Sequence, residues 1–135
     1  MRIIPCPKHL MDDVRESFAE FHPGEPFPHL PGGTVETLVA LDDRHPYFLG
    51  YTMYALQGPA LILIDTGVVP DARGRGIARA FLQERLDRGR MLGAAYACCG
   101  MQPQNTSMLK LLTEFKFEET APMLGQRVFL LPLEK

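Results

Sequence analysis

The spacing of apolar residues along this chain changes period several times, and each change marks an element. Residues 2–5 form a short apolar run that reads as a first strand, after which Leu10, Met11, Val14, Phe18 and Phe21 recur at helical spacing. The segment 23–33 holds Pro23, Pro26, Pro28 and Pro31 together with Gly24, Gly32 and Gly33, so it stops the helix and is too proline-dense for regular structure. A hairpin set of three strands follows: residues 34–41 alternate as its first, 42–46 turn, and 47–56 make its second, which Gln57, Gly58 and Pro59 close onto its third at 60–69. Ile77, Ala78, Phe81, Leu82 and Leu86 then line one face of a helix that ends before Gly93, and 94–99 reads as a buried strand. Asn105 is a good cap for a third helical stripe of Met108, Leu111, Leu112 and Phe115, and strands at 117–120 and 126–131 close the chain around Pro122. Strand, helix, three strands, helix, strand, helix and two strands predict a mixed sheet flanked by helices.

The junction between the third strand and the second helix carries the chemistry. Val68-Val69-Pro70-Asp71-Ala72-Arg73-Gly74-Arg75-Gly76-Ile77-Ala78 places a glycine-bearing turn where a strand ends and a helix starts. Gly74 and Gly76 permit tight curvature and leave main-chain N–H groups uncovered, and the first helical turn adds unpaired donors at the positive end of its dipole. Arg73 and Arg75 contribute guanidinium groups suited to phosphate oxygens. A Walker loop is excluded because its lysine and Ser/Thr are missing, and a dinucleotide fingerprint because its third glycine and distal acid are missing. The residues predict an anion cradle.

Read as Val-x-Pro-x-x-Arg-x-x-Gly-x-Ala, this run resembles the acyl-coenzyme A loop of the GNAT superfamily of N-acyltransferases. Downstream, residues 105–117 resemble that family's second motif, Asn-x-x-Ala-x-x-Leu-Tyr-x-x-x-Gly-Phe: Asn105, Leu111 and Phe117 match, whereas Met108, Leu112 and Lys116 stand where the family usually has a small residue, tyrosine and glycine. The resemblance implies a single α/β (α+β) domain over residues 1–135. Its sheet would be mixed, mostly antiparallel and six- to seven-stranded, flanked by about three to four helices, with one strand pair splayed apart. It implies acetyl-coenzyme A as co-substrate, with pantetheine in the gap beside Val68 and Val69, the pyrophosphate on the amides of Arg73, Gly74, Arg75, Gly76, Ile77 and Ala78, and Asn105 holding the cofactor arm. The implied reaction is direct attack of a primary amine on the acyl carbon in a ternary complex, without an acyl-enzyme. Two carboxylates are candidate bases: Asp65 on the third strand and Glu36 on the first strand of the hairpin set. The structural alternatives are that Asp65 only closes its strand through a local backbone bond and that Glu36 sits on a solvated face. Leu112 cannot donate a proton to the leaving thiolate, and the lysine at 116 either costs about 1 kcal/mol at a positive φ or shifts the turn.

Composition narrows the partners. A 46% hydrophobic and 22% charged chain of 135 residues is a globular protein with one core. No segment approaches the roughly 20 apolar residues of a membrane span and no signal peptide is evident, so a cytoplasmic location is expected. Three cysteines, two of them adjacent, form neither a disulfide framework nor a metal-type pair, and no metal site is expected. Cys98 and Cys99, among alanines, read as core packing rather than as nucleophiles. Residues 1–72 carry ten acids against four bases, and 73–135 six against ten, so an acidic first half favours a cationic acceptor, either an amine-bearing small molecule or a protein amine. Glu25, Phe27 and His29 in the 23–33 segment could line the acceptor mouth. Arg79, Arg85, Arg88 and Arg90 read as the solvated face of a helix, and His9, His22, His29 and His45 as surface residues. No basic and aromatic interleaving argues for nucleic acid, and a homodimer is compatible with the chain. The competing reading is a catalytically degenerate GNAT-fold protein serving as a coenzyme A-binding or structural assembly module.

Overall fold

The computed structural model describes residues 1–44, 47–102 and 105–133, so His45 lies outside the described residues. Seven strands form one sheet: β1 (Arg2–Pro5), β2 (Glu36–Leu41), β3 (Phe48–Gln57), β4 (Ala60–Val68), β5 (Tyr96–Met101), β6 (Glu118–Glu119) and β7 (Arg127–Pro132). Their spatial order is β1-β2-β3-β4-β5-β7-β6, and every neighbouring pair is antiparallel except β4 and β5. Three helices, α1 (Met11–Phe21), α2 (Ile77–Met91) and α3 (Thr106–Glu114), complete the predicted order, with 3-10 turns at Lys8–Leu10 and Pro70–Ala72.

The sheet buries both faces. On one side α1 packs Val14 and Phe18 onto Val39, Leu41, Tyr51 and Met53. On the other, Phe81, Leu82 and Leu86 of α2 join Leu38, Tyr54, Leu61, Leu63 and Ala97 from the sheet and Leu112 from α3 in a larger cluster. The alternation of β2 and β3 divides between the two clusters because successive strand side chains point to opposite faces. Arg79 fastens α2 to α3 through two hydrogen bonds to Glu114, at 2.7 and 2.6 Å.

Two local features decide where a ligand can enter. β4 pairs with β5 only from Ala60–Tyr96 to Leu63–Cys99, although β4 runs on to Val68 and β5 to Met101. At the same height the β3–β4 register slips, with Tyr54 opposite Leu63 but Met53 opposite Asp65, so Ile64 is an extra, bulged residue. A bulge bends its strand and increases local twist. Here the pairing of β4 with β5 stops at the bulge, and beyond it the two strands are splayed as expected.

The helix-end turn anticipated at Lys116 keeps its usual shape. Phe117 N–H donates to the Leu112 carbonyl at 3.0 Å and Lys116 N–H to that of Thr113 at 3.1 Å, a Schellman closure, with Lys116 held at φ 70°. Leu112 is fully buried and Phe117 nearly so, and both belong to the same core cluster. The apolar contact that accompanies this closure offsets the left-handed strain of the lysine.

Candidate active site

The site is assembled at the mouth of the splayed pair, where β4 runs through Pro70–Ala72 into α2. Gly74 and Gly76 both take left-handed φ, 80° and 79°, and a Cβ on either would meet nothing within 4 Å. The turn is therefore an open backbone surface, and Gly76 caps α2 without any side-chain bond to its first amides. Those N–H groups and the helix dipole are available to an anion. Beneath them Ala72, Ile77 and Phe81 are buried and hold the turn against the core. Arg75 borders a recess of about 350 Å³ that it shares with Ile77, Leu49 and Arg44, and its guanidinium reaches the Asp71 carbonyl only at 3.5 Å. Arg73 folds the other way: its Nε donates to the Val68 carbonyl at 3.1 Å and its guanidinium carbon lies 5.4 Å from the Phe21 ring centroid. Val69 N–H is taken by Leu49 O at 3.0 Å. Ala78 follows in the first turn of α2, and Asn105 caps α3 with its side-chain oxygen 3.1 Å from Met108 N.

The two candidate bases are not brought together. Glu36 pairs with Tyr54, whose side chain belongs to the α2-side cluster, whereas Asp65 pairs with Met53, which belongs to the α1-side cluster. Residues directly opposite share a face, so the carboxylates point to opposite sides of the sheet, two strands apart. Glu36 is exposed.

Asp65 has a built environment. Tyr51 Oη donates to its Oδ2 at 2.6 Å, and His22 Nε2 lies 3.2 Å from its Oδ1. His22 Nδ1 in turn lies 3.1 Å from Oε2 of Glu25. The reading of Asp65 as a strand-closing residue is thus replaced by a side-chain chain, Tyr51–Asp65–His22–Glu25, running from the fully buried phenol to an exposed carboxylate. Burial first, and then the bond to Asp65, push the Tyr51 phenol far above its ordinary value, so it stays a donor and Asp65 stays the acceptor. His22 is corrected from a surface residue to a half-buried one at the end of α1, its ring tilted against that of Phe18 at 4.7 Å. Gly67 is required beside this chain, because a Cβ there would stand 2.5 Å from Tyr51 and 2.7 Å from Phe21. Among the anticipated mouth residues, Phe27 packs edge-on against Phe18 at 5.4 Å, and His29 is exposed.

Arg85 is the second correction. Arg79, Arg88 and Arg90 form surface ion pairs as a solvated face should, but Arg85 is only 4% exposed. It lies one turn after Phe81, on the buried side of α2, and its Nη1 donates to the Met53 carbonyl at 3.2 Å, at the residue where the β3–β4 register slips. Burial lowers the guanidinium to about 10, which leaves it charged at neutral pH. Among the described residues its Nε has no hydrogen-bond partner. Arg85 thus ties α2 to the bulged stretch of the sheet.

Burial also raises the two adjacent thiols, Cys99 to about 11, so neither is a thiolate nucleophile. Among the described residues no group of His, Cys, Asp and Glu is arranged to hold a metal ion, and no helix is long and apolar enough to cross a membrane. Leu112, in the position of the family tyrosine, is fully buried.

Many solved structures share its architecture, among them the following three. A putative acetyltransferase from Salmonella typhimurium with its cofactor acetyl-CoA superposes with a TM-score of 0.78 at 18% identity, covering 100% of this chain and 95% of that one. A ribosomal-protein-alanine N-acetyltransferase from Brucella melitensis gives 0.76 at 17% identity, covering 98% and 100%. A chimera built on the spermidine N-acetyltransferase of Vibrio cholerae gives 0.81 at 12% identity, covering 98% and 97%. At these identities the likeness establishes the fold, and the bound acetyl-CoA of the Salmonella protein supports acetyl-coenzyme A as co-substrate. No curated protein sequence matches. The family model described as the acetyltransferase (GNAT) family matches residues 7–117, which spans the glycine turn, the splayed strands and the α3 motif, and the chain belongs to that family.

Proposed function

We propose that this chain transfers an acetyl group from acetyl-coenzyme A to a primary amine by direct attack in a ternary complex. The observation that carries the reading is the coincidence of two features: β4 parts from β5 after Leu63, and the same strand ends in an open, left-handed glycine turn capping α2. A slot between strands suits an extended pantetheine arm, and the turn at its mouth suits a pyrophosphate, held by the amides of 74–78 with Arg75 beside them. Arg73, now bonded to Val68, would exchange that carbonyl for phosphate. Asn105 is spent on capping α3 and would act by fixing the start of that helix next to the cofactor arm.

Asp65 is favoured over Glu36 as the route for the acceptor's proton, because it has partners that fix it and it follows the bulge directly. Holding amine and thioester in line removes much of the entropic barrier, and an amide of the splayed strand can bind the oxyanion. With Leu112 buried in the core, the thiol leaves as a thiolate, which an alkyl thiol with a pKa of about 8.5 can do near neutral pH. That same substitution favours the second reading, a coenzyme A-binding protein without turnover.

The test has two stages. Calorimetry with acetyl-coenzyme A should show saturable binding below millimolar concentration; no binding there removes both readings. A thiol-release assay over polyamines, aminoglycosides and amino-terminal peptides should then show turnover with a cationic acceptor. Binding without release across that panel leaves the non-catalytic reading standing.

A further inference from the structure

We propose that His22 is the group that takes the acceptor's proton, with Asp65 as its orienting partner and Glu25 as the counter-charge for the incoming ammonium. The inference deepens the acyltransferase reading and rests on it. His22 stands where α1 ends, and its Nε2 faces Asp65 Oδ1 at 3.2 Å while Nδ1 faces Glu25 Oε2 at 3.1 Å. A carboxylate oxygen only accepts, so Nε2–H donates to Asp65. At 3.1 Å no further heavy atom fits between Nδ1 and Oε2, so that contact is made by a proton on Nδ1, the arrangement of a ring that has taken a proton up and offers it to Glu25. With that proton gone and Glu25 turned aside, Nδ1 presents its lone pair to an ammonium.

Burial supports this division of labour. Asp65 is 17% exposed and pinned from behind by Tyr51, His22 is 33% exposed, and Glu25 is 64% exposed in the turn after α1, where Gly24 at φ 79° lets the chain reverse. Asp65 is fixed, the ring is oriented, and Glu25 is free to swing aside as the acceptor enters. A buried carboxylate that holds one ring nitrogen sets the tautomer that leaves the other as a base. The groups facing the ring are Asp65 from β4, with Tyr51 of β3 behind it, Glu25 from the following turn and the Phe18 ring of α1; among the described residues no cation pairs with it.

In the step assigned to it, the ammonium loses one proton to His22 Nδ1, and the freed nitrogen lone pair forms the bond to the thioester carbon. The carbon–sulfur bond breaks with its electron pair on sulfur. The second nitrogen proton ends on that thiolate, and His22 passes its own proton through Glu25 to water.

The experiment measures thiol release by wild type, His22→Ala and His22→Gln with the best acceptor of the panel, across pH, alongside calorimetric binding of acetyl-coenzyme A. Both variants should bind the cofactor as wild type does and lose about 100-fold or more in kcat, the range of a positioned base. The acidic limb of the wild-type pH profile should vanish in both, and added imidazole should restore turnover to His22→Ala but not to Asp65→Asn. His22→Gln turning over within three-fold of wild type, keeping the acidic limb, or a His22→Ala loss that imidazole leaves untouched, overturns the proposal. A wild type that binds no acetyl-coenzyme A defeats the acyltransferase reading instead.

Discussion

The two faces of the sheet are built in different ways. On the α2 face the candidate surface is backbone: a glycine turn, a helix start and a strand edge, all within one stretch from Ala60 to Ala78. On the α1 face it is side chains drawn together from afar, His22 and Asp65 being 43 positions apart and Tyr51 and Asp65 14 apart. The supporting cores differ too. Nineteen buried residues pack behind the α2 face and six behind the α1 face, among the described residues. Binding by backbone amides can tolerate varied side chains, whereas a chain of side-chain bonds depends on each member and on a thinner layer that is easier to open.

That contrast can be broken at its strongest point by Phe81→Ala. The ring is fully buried in the larger cluster beneath the glycine turn, and its loss should cost about 3–5 kcal/mol in denaturant unfolding. A cost near 1 kcal/mol would mean that the α2 face is less tightly packed than it looks. Gly76→Glu is the next largest. A carboxylate at the anion position, on a residue held at φ 79°, should weaken acetyl-coenzyme A at least 100-fold, about 2.7 kcal/mol, with the fold retained. Unchanged affinity would remove the cradle from the cofactor side. The smallest effect sharpens the picture: Lys116→Gly should raise stability by about 1 kcal/mol, because the Schellman turn is already formed and only the left-handed strain is relieved. A destabilisation would show that the lysine stem packs there.

The same contrast explains what could be read in the sequence. Periodicity located the strands and helices that bury at least one side on the core, and Ile77, Phe81, Leu82 and Leu86 lie on α2 as their spacing requires, whereas both residues of β6 are exposed. The two 3-10 turns escaped, being three residues long and carrying no period. The open glycine turn was legible because it is contiguous. Tyr51, His22 and Glu25 were not, since an alternating strand, a helix end and a proline-rich segment give no sign that they will meet over one carboxylate. Arg85 was legible in principle: four residues after Phe81 it falls on the buried face, and its charge obscured its position.

The extra residue at Ile64 has a reach beyond its own kink. Continuing the Tyr54–Leu63 register would set Asp65 opposite Thr52, whereas it stands opposite Met53. Strand side chains alternate, so that one-residue offset inverts the phase of everything beyond it. Were Ile64 instead taken into the regular ladder opposite Met53, the carboxylate would fall opposite Thr52 and point away from Tyr51 and His22. One surplus residue thus holds the carboxylate on the same side of the sheet as the phenol and the imidazole that grip it.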